Sequence, residues 1–273
     1  MEVLNLNKKN KMNKLDFTIA DVNDIYSGPV GILWEMLMGE QIHVGGEKET
    51  NILAEKAGIK KESIILDICS ALGGPARHLA QKYGCKVIGL DATQKMIDEA
   101  IKRTKNKPIS NLIEYKLGNA LDLPFKSETF DVVWGQDAWC YITDKERLIS
   151  ESYRVLKPGG TIAFTDWLQV GDMNQQEWND LNSFMAFPYI ETLNGYEKIL
   201  RDTGFKIIEK EDLSKDFTKH CQIYKTMLRK DLKDSIIKNY NQEMFEAADS
   251  GLSLWVKAAN ENKVGRGRII GQK

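Results

Sequence analysis

The sequence predicts an α/β fold with a doubly wound, mostly parallel sheet, on three observations. Strand-like apolar runs alternate with helix-like amphipathic runs through the middle of the chain, an order that builds parallel sheets. The strand runs are nearly continuous in apolar residues, as expected when both faces of a sheet are covered. The stretch "SIILDICSALGGPARHLAQKYGCKVIGLDATQKM", Ser63 to Met96, reads as a strand with an acid near its end, a small-residue turn, a helix, and a second strand ending in another acid. That is how a nucleotide-binding unit begins.

Taken in order, Ser63–Ile68 reads as a strand, Gly73–Tyr83 as a helix and Cys85–Leu90 as a strand. Thr93–Thr104 reads as a helix with Thr93 as its N-cap. Leu112–Leu117 and Thr129–Gly135 ("TFDVVWG") are strands. Asp144–Leu156 is a helix that "KPGG" closes. Thr161–Asp166 is the next strand, Gly195–Thr203 a helix, and "FKIIEKEDL" after Gly204 a strand, with a last strand in "VGRGRIIGQK". Two regions stand outside this rhythm. Tyr26–Leu37 is an apolar, helix-like segment leading to "GEQIHVGG". The charged stretch from Asp212 to about Asn262 is helical in pattern, and its length suits a cap over the carboxyl edge of the sheet.

The bulk composition excludes several classes of function. With 273 residues, 42% hydrophobic and 28% charged, the chain suits one soluble domain. A net charge of −1 calls for neither nucleic acid nor an anionic membrane as partner. No apolar run is long enough to span a bilayer, and "MEVLNLNKKNKMNKLDF" lacks a secretory signal's apolar core, so 1–16 reads as a tail. The cysteines, Cys69, Cys85, Cys140 and Cys221, form no CxxC pair, which argues against a metal site and for a reducing cytoplasm.

The turn after the first strand decides the ligand. Counted as G-x-G-x-x-G it runs Cys69, Ala71, Gly74, so one glycine of three is present. A pyrophosphate needs close backbone approach where Ala71 carries a methyl, which disfavours a dinucleotide. Asp91 still ends the second strand where an acid for ribose hydroxyls is expected. Further along, "GNALDLPF" (Gly118–Phe125), "FDVVWGQDAW", "RVLKPGG" (Arg154–Gly160) and "TIAFTDW" follow in order. With these motifs the chain resembles the class I S-adenosylmethionine-dependent methyltransferases. "GGPARHLAQKYG", "WGQDAW", "EQIHVGG" and "GLSLWVKAANENKVGRG" look like the sarcosine/dimethylglycine N-methyltransferases, and "IHVGG" and "QDA" are similar to segments of phosphoethanolamine methyltransferases.

The resemblance implies a Rossmann-like, seven-stranded methyltransferase domain over 17–273, with an N-terminal helical lid at 17–46 and a helical cap, 213–263, inserted before the last strand. It implies S-adenosyl-L-methionine as cofactor, with Asp67 on the methionine amino group and Asp91 on the ribose. Cys69, Ala71 and Gly73 would form the turn, Ala92 and Met96 would line the site, and Asn119 and Ala120 would meet the adenine edge. Gln136 and Asp137 would face cofactor and acceptor. Asp137, Tyr141, Tyr26 and His43 are the catalytic candidates. Plainer readings stand beside these: Asp67 as a turn cap, Asp91 as a helix-dipole acid, His43 as structural, the aromatics as core. Where the family has glycine, Cys69 and Ala71 require either negative φ or a displaced turn.

The implied reaction is methyl transfer to a small molecule, foremost an amine, by a cytoplasmic monomer or weak homo-oligomer. Transfer to oxygen, sulfur or a phosphobase stays open, as does a catalytically silent S-adenosylmethionine binder. Arg229, Arg266, Arg268 and His43 are candidates for an acceptor's anion, and Tyr26 and Trp139 for its cationic end.

Overall fold

The computed structural model describes residues 14–273, so the expected tail over 1–16 lies outside the described residues except for its last three. Seven strands form one sheet: β1 Ile64–Ile68, β2 Lys86–Asp91, β3 Ile113–Leu117, β4 Phe130–Gln136, β5 Leu156–Gln169, β6 Lys206–Asp212 and β7 Val264–Gln272. Their order is β3-β2-β1-β4-β5-β7-β6. All neighbours are parallel except β7, which runs antiparallel between β5 and β6. The chain winds outward from β1 through β2 to β3, then returns to β4 on the other side of β1. Ligands of such sheets bind at this reversal, beyond the carboxyl ends of the strands.

The helices are α1 Ile19–Ser27, α2 Pro29–Met38, α3 Gly46–Lys56, α4 Gly74–Tyr83, α5 Gln94–Thr104, α6 Lys145–Val155, α7 Gln175–Met185, α8 Leu193–Thr203, α9 Ser214–Met227, α10 Lys233–Asn239 and α11 Gln242–Asn260. Strand residues alternate between two apolar layers, as the pleat requires. Ile65 packs with Leu53 and Ala54 of α3 and Ala76 and Leu79 of α4. Its neighbour Leu66 packs on the other face with Leu148 and Ile149 of α6 and Tyr196 and Leu200 of α8. A third cluster joins α2, α7 and the α9–α11 helices to Trp167 of β5 and Val264 of β7.

Several elements depart from expectation. The segment Tyr26–Leu37 is two helices, because Gly28 is extended and Pro29 opens α2. Helices α3 and α7 were not anticipated. Thr93 precedes α5, but its hydroxyl donates to Asn23 Oδ1 (2.8 Å) instead of capping the helix. "KPGG" does follow the end of α6, yet it is itself part of β5, which pairs with β4 from Leu156 onward.

Candidate active site

A cavity of about 490 Å³ opens at the carboxyl ends of β1, β2 and β4, floored by the turn after β1. That turn is tightly tied. The Cys69 and Ser70 amides donate to the Leu90 carbonyl (2.8 and 3.1 Å), and the Ala71 amide donates to Asp91 Oδ2 (2.9 Å). The geometry corrects the expectation for its non-glycine positions. Cys69 has φ +64° and Ala71 φ +45°, so negative angles do not rescue them. Both hold the left-handed conformation that costs a side-chain-bearing residue about 1–2 kcal/mol. The pull of three amides on the end of β2 sustains the strain, which is how functional sites hold unfavourable angles. Gly73 follows at φ +70°, and a Cβ there would lie 2.1 Å from the Tyr115 hydroxyl oxygen.

Four carboxylates line this cavity: Asp16, Asp67, Asp91 and Asp137. Asp67 is buried, and its Oδ2 has no hydrogen-bond partner. Burial, reinforced by the Asp91 charge, pushes its pKa up to about 7. Asp91 is raised by burial too, against the amide donors from Thr93 (2.9 Å) and Ala71. Ala92, Met96, Asn119, Ala120 and Gln136 complete the cofactor-side wall. The Gln136 amide is also buried with Nε2 unpartnered. Gly73 lies behind the turn and is not on the wall.

His43 is not on the wall either. It is buried, and its ring sits 3.1 Å from the Val44 carbonyl and 3.0 Å from the Thr50 hydroxyl, which lies 3.0 Å from Gln136 Oε1. Burial drives its pKa down to about 4, so it is neutral at physiological pH. As a direct catalytic group it is displaced by geometry, and its contacts instead hold Gln136 in place.

Beyond Asp137 a small chamber of about 20 Å³ adjoins the cavity, and Tyr26, Ile42, Asp137 and Tyr141 line both. Its remaining walls are Trp34 and Met38 of α2, Trp167 of β5, Met185 of α7 and Phe187. Tyr26 donates a hydrogen bond to the Tyr141 hydroxyl (3.1 Å), with the rings edge to face at 5.5 Å. Burial raises both phenols above their ordinary pKa. The short turn carrying Tyr141 is pinned by Asp166, whose Oδ1 accepts from the Cys140 amide (3.1 Å) and Oδ2 from the Tyr196 hydroxyl (2.6 Å). Trp139, expected beside the acceptor, instead stacks on Phe164 at 4.3 Å in the core.

Asp137 is more committed than the sequence suggests. Its Oδ1 accepts from Arg266 Nε (2.7 Å) and its Oδ2 from the Val44 amide (2.8 Å). Its backbone, at φ +55°, is held by donation to the Thr165 carbonyl (2.8 Å). Arg266 is wholly buried and also bonds Thr165 Oγ1 (2.9 Å). Arg268 grips Glu49 in a fork (2.7 and 2.9 Å) and pairs with Glu211. Arg229 pairs with Asp249 on the surface. None of the three expected anion-binding arginines lines either cavity. Sequence reasoning also missed Met38, Met185 and Phe187, and it left Trp34 and Trp167 as core.

Residues 66–164 match a methyltransferase-domain family. The chain is 29% identical over 259 residues to a sarcosine/dimethylglycine N-methyltransferase of Halorhodospira halochloris, covering 90% of each. It is 32% identical over 182 residues to a sterol 24-C-methyltransferase of Saccharomyces cerevisiae, a match that takes in 64% of this chain and 48% of that one. In fold it is similar to phosphoethanolamine N-methyltransferase 2 of Haemonchus contortus, solved with phosphomonomethylethanolamine and S-adenosylhomocysteine, at TM-score 0.85 and 24% identity over 94% of this chain and 60% of that one. Among the described residues no helix is long and apolar enough to cross a membrane.

Proposed function

We propose that the chain is an S-adenosylmethionine-dependent methyltransferase, as its likeness to such enzymes supports, and that its acceptor is a small amine held at the mouth of the ring-walled chamber beside Asp137. The chamber itself carries this reading: rings on several sides and a carboxylate at the mouth suit a nitrogen that becomes cationic as it is methylated.

The cofactor side fits S-adenosylmethionine through its open polar atoms. Asp67 Oδ2 is an unpaired acceptor suited to the methionine ammonium group, and Gln136 Nε2 is an unpaired donor nearby in the same wall. Each Asp91 oxygen keeps a lone pair for the ribose hydroxyls after its amide bonds. Asn119 and Ala120 would read the adenine edge, with Ala92 and Met96 as apolar walls and the Cys69–Ala71 turn as the floor. When bound, the cofactor supplies a methyl group on a sulfonium centre whose leaving group is neutral, so the protein needs no acid.

The chain's own part is alignment and exclusion of water, which together can lower a barrier by several kcal/mol. Tyr26 and Tyr141 join the first helix to the loop after β4 and close the chamber through their hydroxyl bond. Raised phenol pKa values keep both neutral, so they orient the amine and do not deprotonate it. Both Asp137 oxygens already accept from donors, so neither is free to take the amine's proton, and the amine must arrive unprotonated. The helices α9–α11 would serve as the cap, and α1–α2 as the lid. The site is that of a cytoplasmic small-molecule enzyme, a monomer or loose oligomer, with no nucleic-acid partner in view of its net charge of −1.

Labelled methyl transfer to amines, thiols, phenols and alkenes tests the reading. Transfer to amines, rising with pH toward the amine's own pKa, is expected. Transfer only to another class sinks the amine assignment, and no transfer to any, with the cofactor bound, would mark a silent binder.

A further inference from the structure

We infer that the acceptor carries no carboxylate or phosphate: the chamber is built for an anion-free ammonium head, unlike the amino-acid and phosphobase acceptors in the names of similar enzymes. This deepens the amine reading and rests on it. Both cavities are lined by rings, apolar side chains and carboxylates, and among the described residues their walls include no Lys, Arg or His.

Among the described residues, the cations bonded to lining residues are engaged. Arg266 is locked to Asp137 and Thr165, with its Nη1 3.4 Å from Glu49. Lys145 is fully buried, bonded to the carbonyls of Ile142 and Tyr189 (both 3.1 Å), with its ammonium 3.5 Å from the Tyr189 ring centre. Lys14 bonds the Thr143 carbonyl (2.9 Å), and Arg147 the Leu121 carbonyl (2.9 Å).

An acceptor anion brought here would lose its water and meet Asp137 at the mouth of the chamber, since Asp67 and Asp91 are taken up by the cofactor. Burying a charge without a partner costs far more than a neutral group of the same size. An ammonium faces the opposite balance, with the Asp137 charge and the ring faces in its favour. A chamber of about 20 Å³ has room for about one methyl group, so one methyl of the ammonium head enters it while the nitrogen and the rest of the acceptor stay at its mouth in the larger cavity.

Binding to the S-adenosylhomocysteine complex tests this without turnover, so it stays separate from the fate of the amine reading. Tetramethylammonium and choline are compared by calorimetry with glycine betaine and phosphocholine, which present the same head with an added anion. The anion-free pair is expected to bind at least about tenfold more tightly. Trp34→Leu should abolish that binding while S-adenosylhomocysteine still binds, which places the probe in the chamber. Betaine or phosphocholine binding equally or better overturns the inference, as does failure of every quaternary ammonium to bind, or choline binding that Trp34→Leu leaves intact.

Discussion

The two ends of the cavity handle buried carboxylates in opposite ways. At the cofactor end, Asp67 keeps an oxygen with no partner and a pKa raised to about 7. At the acceptor end, Asp137 is equally buried, yet Arg266 and the Val44 amide hold both its oxygens. An unpaired buried acceptor is costly until a ligand supplies the donor, so the cofactor end binds by hydrogen bonds and charge. The acceptor end is already satisfied and selects by shape, ring faces and a fixed field. Strain does not follow that division: Cys69 and Ala71 sit at positive φ in the cofactor turn, and so do Ile42 and Asp137 on the chamber wall.

The largest way to break the contrast is to strip Asp137 of its partner. Arg266→Met leaves an uncompensated buried carboxylate and should cost about 3–5 kcal/mol of stability. Urea unfolding checks it. A loss below about 1 kcal/mol would mean that water, and not Arg266, satisfies Asp137.

Asp67 gives a pH signature at the other end. Its folded pKa is raised, so the native state binds the proton more tightly than the unfolded chain. Its contribution to stability therefore falls as pH climbs from about 4 to about 7. Asp67→Asn should stabilise the cofactor-free protein at pH 8, with the gain vanishing toward pH 4. In the wild type, S-adenosylmethionine affinity should drop about tenfold per unit below pH 7, because the cofactor's ammonium needs the charged carboxylate. Thermal shifts and calorimetry across pH 5–8 read both effects, and a pH-independent affinity would remove Asp67 from the cofactor site.

The smallest effect sharpens the strain comparison. Cys69→Gly with Ala71→Gly relieves two left-handed residues, a gain of about 1–2 kcal/mol each before the added freedom of the unfolded chain subtracts about half. The double variant should melt a few degrees higher and still bind S-adenosylmethionine. A lower melting temperature would show that the cysteine and the methyl contribute packing worth more than the strain.

How much the sequence revealed follows this same line. The cofactor end was legible because its signals are local: strand, acid, turn, helix and second acid lie within Ser63–Met96. The angles of the turn were not, since they depend on amides reaching across to Leu90 and Asp91. Helix α3, "GEKETNILAEK", is polar enough to read as loop, although its Glu49, Thr50, Leu53 and Ala54 are buried. The chamber draws Trp34, Trp167 and the Met185–Phe187 pair from three distant segments, each ordinary in its own context. Trp139 misled because its motif adjoins Asp137, yet the short turn carries its ring back onto Phe164. His43 lies in a loop that does reach Asp137, but through the amide of Val44 and not through its own imidazole.

The antiparallel strand β7 sets an order of assembly. It slots between β5 and β6, and the Asp137–Arg266 bond it carries joins residues 129 positions apart. Loop closure over such a span is slow, while β1, α4 and β2 fold from neighbouring sequence. The cofactor turn can therefore take shape early, whereas the chamber has its charge in place only after the sheet is closed. During refolding, the ability to bind S-adenosylmethionine and the ability to use it become separate events in time.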